Sequence, residues 1–312
     1  MGAPEEREIH RRHGGGESSP KFFFPRSAHY TGMDDPLALL SFVLLLVSCA
    51  AFLAFLIPSP YKRHLAIAGW GAMVAFLYSQ IPHLIAVENN FLYPIIALLS
   101  IPFLYVTVRR IRDGSGAVMQ LTTAAAVAFL IYAPFEYIEP LRTWMISALV
   151  AQTLWTLDLL QYSAQNPAWN MVTRNGLRIE MILACTGIQS IAIMLGVVGA
   201  VRTTLRQKVL AFLAVFPTIY ILNTFRNAFV IIAYTEQWFP YLPEIAGNGE
   251  FGYESFFWAH NVLSELGALV LLVLIAYGLF AIIPDLGDWA ADLVGIYRKD
   301  LSEALHLSRG AE

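Results

Sequence analysis

Charge is scarce in this sequence. Of its 312 residues only 14% are Asp, Glu, Lys or Arg, and 57% are hydrophobic. A soluble domain carries about a quarter charged residues, so an ordinary soluble enzyme is excluded. Cysteine is scarcer still: Cys49 and Cys185 are the two in the chain, too few for a disulfide framework. Cys49 falls in the middle of an apolar run and reads as a small buried hydrophobe. No glycine-rich nucleotide-binding motif is present, and the histidines are scattered rather than spaced as metal ligands. No cofactor, metal or nucleic-acid partner is therefore expected. The period-two alternation of membrane barrel strands is missing as well.

What the chain has instead is long runs of Leu, Ala, Ile, Val and Phe. In lipid every backbone polar group must be satisfied internally, so such runs become helices. The expected fold is all-α, a polytopic membrane protein of about seven to eight transmembrane helices. A span needs roughly 20 apolar residues. Candidate runs cover about 36–57, 64–81, 91–108, 117–137, 143–160, 184–201, 209–234 and 256–283. Residues 1–35 read as a flexible polar N-terminal tail with an interrupting Phe22-Phe23-Phe24-Pro25 cluster, 36–283 as the transmembrane domain, and 284–312 as a polar, cytoplasmic C-terminal tail with interfacial helix character. Residues 161–183 form a polar link with turn signals at Asn166-Pro167 and Asn175-Gly176. Glu136 and Glu139 fall at a span end and read as solvated; Asp158 is a possible ion-pair partner of Arg174 or Arg178.

Orientation follows from the basic loops. Lys62-Arg63, Arg109-Arg110-Ile111-Arg112 and Arg202 through Lys208 all read as cytoplasmic. The link 235–255 has four glutamates and no Lys or Arg, which suits the outside. Three full crossings cannot separate two loops on the same side. The least apolar of the intervening segments, 143–160, is therefore expected to lie along the outer surface or to be re-entrant.

This topology places three isolated reactive groups at one depth near the outer face: Cys185 at the start of its run, Arg226 far along the next, and His260 in the first turn or so of the last. A thiolate is a nucleophile, and a neighbouring cation favours it. His260 suits general acid/base work on the thiol and a leaving amine. Arg226, always charged, suits an oxyanion or a substrate carbonyl, or alternatively a lipid phosphate. Gln189, Asn227, Asn261 and Glu265 are supporting candidates, Gln189 lying one turn from Cys185.

At these residues the chain resembles the exosortase/archaeosortase family. The resemblance rests on Ala184-Cys185-Thr186-Gly187-Ile188-Gln189-Ser190, on Asn223-Thr224-Phe225-Arg226-Asn227, and on His260-Asn261. It implies an archaeal membrane cysteine transpeptidase with Cys185 and Arg226 in the family's cysteine and arginine positions, and His260 in a third position that holds His or Arg. It further implies protein substrates with a C-terminal sorting signal (a Pro-Gly-Phe type motif, a transmembrane helix and a basic tail) and a membrane phospholipid as acceptor. An intramembrane cysteine hydrolase using water, and a transporter or lipid-binding protein built around Arg226, are the competing readings from the residues themselves.

Overall fold

The computed structural model describes residues 36–86 and 92–309. The expected N-terminal tail, with the Phe22–Pro25 cluster, lies outside the described residues. All eight apolar runs fold as helix. They are α1 (Pro36–Leu56), α2 (Lys62–Ala86), α3 (Leu92–Arg112), α4 (Gly116–Tyr137), α5 (Glu139–Leu159), α6 (Ile188–Ala200), α7 (Leu205–Thr235) and a composite last segment. After the short turn α8 (Pro243–Ala246), that segment runs through α9 (Tyr253–Phe256), a π-helical stretch (Phe257–Ser264) and α10 (Glu265–Ile282). Among the described residues five helices are long and apolar enough to cross a membrane: α1, α2, α4, α7 and the segment Tyr253–Ile282. The count falls below the seven to eight apolar runs for physical reasons. At 13 residues, α6 is only about 20 Å long, short of the roughly 30 Å hydrocarbon layer. α3 ends in Arg109, Arg110 and Arg112, and α5 is less apolar, with Glu139, Arg142, Gln152 and Asp158 along it.

The packing partners of α5 all lie at one end of the molecule. Ile146, Leu149, Val150 and Leu157 are buried against Val172 and Ile179 of a small sheet, against Leu183 and Cys185, and against Ile231 and Tyr234 near the end of α7. These residues come from the middle and C-terminal part of α5 and tie it to the hairpin, the cysteine turn and the end of α7.

The sheet comes from the polar link. Strands β1 (Gln165–Ala168), β2 (Met171–Arg174) and β3 (Leu177–Glu180) pair antiparallel in the order β1-β2-β3. The β2–β3 register pairs Val172 with Ile179 and Arg174 with Leu177. Asn175 and Gly176 both have positive φ, 50° and 79°, as a two-residue hairpin turn that follows the strand twist requires. The turn was legible in the sequence; the four-residue strands around it were not. Arg174 does not pair with Asp158, the partner the sequence offered, but with the end of α7. It donates to Thr235 Oγ1 at 2.7 Å, pairs with Glu236 at 2.5 Å, and lies over the Tyr162 ring. With Asn175 Nδ2 on the Thr235 carbonyl, this clamps the hairpin onto the C-terminal end of α7. Glu136 is not left to solvent: its Oε2 accepts from the Tyr132 hydroxyl at 2.8 Å, and Arg142 lies against it.

In the bundle, α6 runs antiparallel to α4 through small residues. A Cβ on Gly196 would sit 2.5 Å from the Ala124 carbonyl and 2.9 Å from Ala128 Cβ. Contact this close is how membrane helices gain dispersion energy, since lipid competes equally for larger apolar groups. The basic loops gather at the other end from the sheet. Arg63 donates to the Arg112 carbonyl, and a cavity of about 600 Å³ there is lined by Lys62, Arg202, Asp285, Asp288 and Asp292. This cavity holds none of the predicted site residues.

Residues 284–309 form α11 (Pro284–Arg309), with an uncharged apolar stripe and a charged face. It docks on the basic end of α3 and α4. Trp289 donates to the Ala117 carbonyl at 3.0 Å, and Tyr297 shares a hydrogen bond with Thr107. Arg110 grips the fully buried Asp300 with both arms of its guanidinium, Nε reaching Oδ2 at 2.7 Å.

Two outcomes are expected. Gly196→Leu should overpack the α4–α6 contact and cost about 1–3 kcal/mol, read as a lower unfolding temperature in detergent. The Arg110 guanidinium holds the Asp300 carboxyl below the usual aspartate range. Its contribution to α11 docking is therefore intact above the unfolded aspartate value of about 4 and is lost as pH falls through the depressed folded value. Amide hydrogen exchange in α11 should accelerate on acidification, and Asp300→Asn should reproduce the acceleration at neutral pH.

Candidate active site

The chain leaves β3 at Glu180 and makes a single 3-10 turn, Leu183–Thr186, before α6 begins. Cys185 lies in this turn with its side chain buried. Thr186 Oγ1 donates to the Leu183 carbonyl at 2.6 Å and accepts from the Ile188 amide at 3.3 Å, holding the turn closed. Gly187 then takes φ 75°, ψ 3°, a left-handed conformation that costs an L side chain about 1–2 kcal/mol. Glycine is needed there for space as well: a Cβ would lie 3.2 Å from Asn223 Cγ and 3.4 Å from Ile219 Cγ2.

That close approach lets α7 reach the turn. Asn223 Nδ2 donates to the Cys185 carbonyl at 2.6 Å, and Asn227 Nδ2 donates to the same oxygen at 2.9 Å. The two asparagines are four residues apart and so share a face of α7. Arg226 lies between them in sequence. Its Nη1 reaches Asn227 Oδ1 at 3.5 Å and its Nη2 reaches His260 Nε2 at 3.3 Å. A guanidinium only donates, so Nε2 is the acceptor and the imidazole proton sits on Nδ1. Nδ1–H then donates to Asn261 Oδ1 at 2.7 Å. The geometry thus sets a neutral His260 tautomer. Its ring is stacked on Phe256, centroids 5.0 Å apart and planes 10° apart. Phe256 in turn meets Tyr234 of α7 edge-on at 5.6 Å.

The three sequence-predicted principals therefore come together from three separate elements: Cys185 from the 3-10 turn, Arg226 from α7 and His260 from the π-helical stretch. Arg226 is electrostatically coupled to the Cys185 thiol. Among the described residues, no salt bridge joins Arg226 to a carboxylate; both of its hydrogen-bond partners are neutral. Its charge is left to act on whatever enters the site. Of the supporting candidates, Asn227 and Asn261 are hydrogen-bonded into the cluster. Glu265 feels Arg226 only through space. Gln189 is exposed and donates to the Tyr132 hydroxyl at 3.4 Å, away from the Cys185 backbone contacts. Sequence reasoning gave no role to Asn223 or Phe256. The Asn223/Asn227 spacing around Arg226 was the available signal for the first; nothing in the sequence marked the stacking role of the second. Among the described residues, no group of three His, Cys, Asp or Glu side chains is placed to hold a metal.

Fold and site together define a polytopic α-helical membrane protein with a cysteine–arginine–histidine cluster near the end of the bundle opposite its basic loops. The chain belongs to the transmembrane exosortase family, whose model matches residues 37–256. The match takes in Cys185 and Arg226 and ends just before His260. The chain is similar to archaeosortase A of Natronomonas pharaonis, 28% identical over 283 residues that cover 83% of this chain and 90% of that one. It is also similar to archaeosortase A of Haloferax volcanii, 26% identical over 275 residues that cover 80% and 91% of the two chains. No solved structure matches it.

The buried tie to Cys185 gives a direct test. Asn227→Leu keeps the branching and heavy-atom count of the side chain but removes one donor from the Cys185 carbonyl and the acceptor from Arg226. Unfolding should lose about 1–3 kcal/mol, as for a buried group deprived of its partner, measured by thermal denaturation in detergent. The rate of iodoacetamide labelling at Cys185 should change at the same time.

Proposed function

We propose that this protein is a membrane cysteine transpeptidase. It cleaves membrane-anchored surface proteins near a C-terminal sorting signal of Pro-Gly-Phe type and passes the new C-terminus to a membrane phospholipid. Cys185 is the nucleophile. Its sulfur attacks the scissile carbonyl, and the thiol proton leaves with the departing amine, giving a thioester and a free amino terminus. The acceptor's hydroxyl or amine then attacks the thioester, returning its proton to Cys185. Arg226 stabilises the negative oxygen of each tetrahedral intermediate, and His260 completes the cluster. The active site faces the extracellular side, because the basic loops at the opposite end suit the cytoplasm.

The observation that carries this reading is the meeting of Cys185 with an Arg226 whose hydrogen-bond partners, Asn227 and His260, are both neutral. An arginine within a span costs about 2.5–3.5 kcal/mol on insertion scales. A purely structural arginine would be expected to recover that cost through a carboxylate. A site for a developing oxyanion requires the charge to stay available. The similarity to archaeosortase A supports the substrate class.

Cys185→Ala should abolish processing of a signal-bearing substrate while leaving the protein folded in the membrane. Full processing by this variant would overturn the reading and favour a lipid-binding role for Arg226. Mass spectrometry of the product decides the acceptor: a lipid-sized addition at the new C-terminus is expected, and a free carboxylate would make the enzyme a hydrolase.

A further inference from the structure

Both ring nitrogens of His260 are engaged. Nδ1–H donates to Asn261 Oδ1 at 2.7 Å, and Nε2 accepts from Arg226 Nη2 at 3.3 Å. The lone pair that a general base would use points at a permanent cation. The hydrogen bonds then continue without a break: Arg226 Nη1 to Asn227 Oδ1 at 3.5 Å, and Asn227 Nδ2 to the Cys185 carbonyl at 2.9 Å. The stacked Phe256 fixes the ring plane. The π-helical turn from Phe257 to Ser264 bonds over five residues rather than four, which rotates His260 relative to the regular α10 that follows. Such π segments recur at functional sites.

We infer that His260 is a positioning residue: a neutral hydrogen-bond acceptor, locked in its Nδ1–H form by Asn261, that aims the Arg226 guanidinium at the Cys185 site rather than taking the thiol proton. This rests on the proposed cysteine chemistry and assigns the third member of the cluster a different task from the acid/base work expected of a histidine. Asn261 gains a role of its own. A histidine free to choose tautomers would place an N–H against the guanidinium half of the time or more, turning a hydrogen bond into a repulsion. In this assignment the proton released on thioester formation passes from Cys185 to the leaving amine without residing on His260.

The charged group that acts on the ring is Arg226 on α7; Arg226 is in turn coupled through space to Cys185 in the 3-10 turn and to Glu265 on α10, and Glu180 at the end of β3 is coupled to Cys185. Glutamine at position 260 carries an amide oxygen at about the reach of Nε2 and does not titrate, so it separates the two tasks.

The experiment is steady-state processing of a signal-bearing substrate by detergent-solubilised full-length protein, with kcat/KM followed against pH. His260→Ala should lose about a hundredfold, the typical loss when an oxyanion donor is misplaced. His260→Gln should recover most of that loss and keep the acid limb of the wild-type profile. Asn261→Asp should lower the rate, because a carboxylate on Nδ1 favours the imidazolium, whose Nε2–H cannot accept from Arg226. Three results would overturn the assignment: His260→Gln as inactive as His260→Ala in a folded protein, an acid limb that disappears in His260→Gln, or a rate gain in Asn261→Asp. Each is what a general base would give. Failure of the underlying cysteine chemistry shows separately, as retained processing in Cys185→Ala.

Discussion

The carbonyl of Cys185 is the point at which the structure is most constrained. At Gly187 the chain leaves left-handed geometry to start α6, and before it the 3-10 turn breaks any helical continuation. Non-helical backbone at membrane depth is tolerated only where protein groups satisfy it. The Asn223 and Asn227 amides do so, and everything else at the site follows from where they sit. They bring α7 close enough that a Cβ at position 187 would crowd the Asn223 side chain at 3.2 Å. They also fix Arg226, between them in sequence, beside the cysteine turn. A second tie, Arg174 and Asn175 of the hairpin on Thr235 and Glu236, holds the far end of α7 to the strands that feed the turn. The Cys185 segment is thus pinned to the helix that carries Arg226 at two places, one at the hairpin and one at the cysteine turn.

Electrostatics explain why the cluster is built from amides and an imidazole rather than from acids. Interactions are stronger where water is excluded, so a carboxylate on Arg226 would largely cancel its field at Cys185. Neutral partners orient the guanidinium without cancelling it. Elsewhere in the same molecule, where the need is to hold an element in place, arginines are paired with acids: Arg110 with Asp300 beneath α11, and Arg174 with Glu236 on the hairpin. The contrast separates two arginines paired with acids from Arg226, whose hydrogen-bond partners are neutral.

Much of this was legible in the sequence, and the exceptions have physical causes. Long apolar runs specify helices because lipid leaves the backbone no alternative, so all eight were visible, and the charge of the short loops gave a grouping that the Arg63–Arg112 contact matches. Cys185, Arg226 and His260 stood out because polar groups are costly within such runs. Asn175-Gly176 declared a tight turn through its two positive φ values. The strands beside it stayed hidden, since four residues each carry too little pattern and their stability comes from contacts with α5 and α7 made only in the folded chain. The role of Asn223 is not readable in the sequence, because a hydrogen bond to a main-chain carbonyl 38 residues away leaves no local signature. The partners of Arg174 and Glu136 were missed for the same reason: composition offers several acids and bases, and only tertiary geometry chooses among them.

The depth of the site follows from a mismatch in length between α6 and α7. From Leu205 to Arg226, α7 rises roughly 30 Å, whereas α6 supplies only about 20 Å. The two must nonetheless meet at Cys185. The difference is made up by extended backbone at Val201 and Thr204 on one side and by the 3-10 turn, which climbs about 2 Å per residue, on the other. Had α6 been regular for another two turns, Cys185 would lie inside a helix with its carbonyl consumed by the i+4 amide, and the asparagines would have nothing to hold. The short helix therefore creates both the unsatisfied carbonyl and the level at which the thiol is presented. That level is below the hairpin and α5 and about one hydrocarbon thickness from the basic loops.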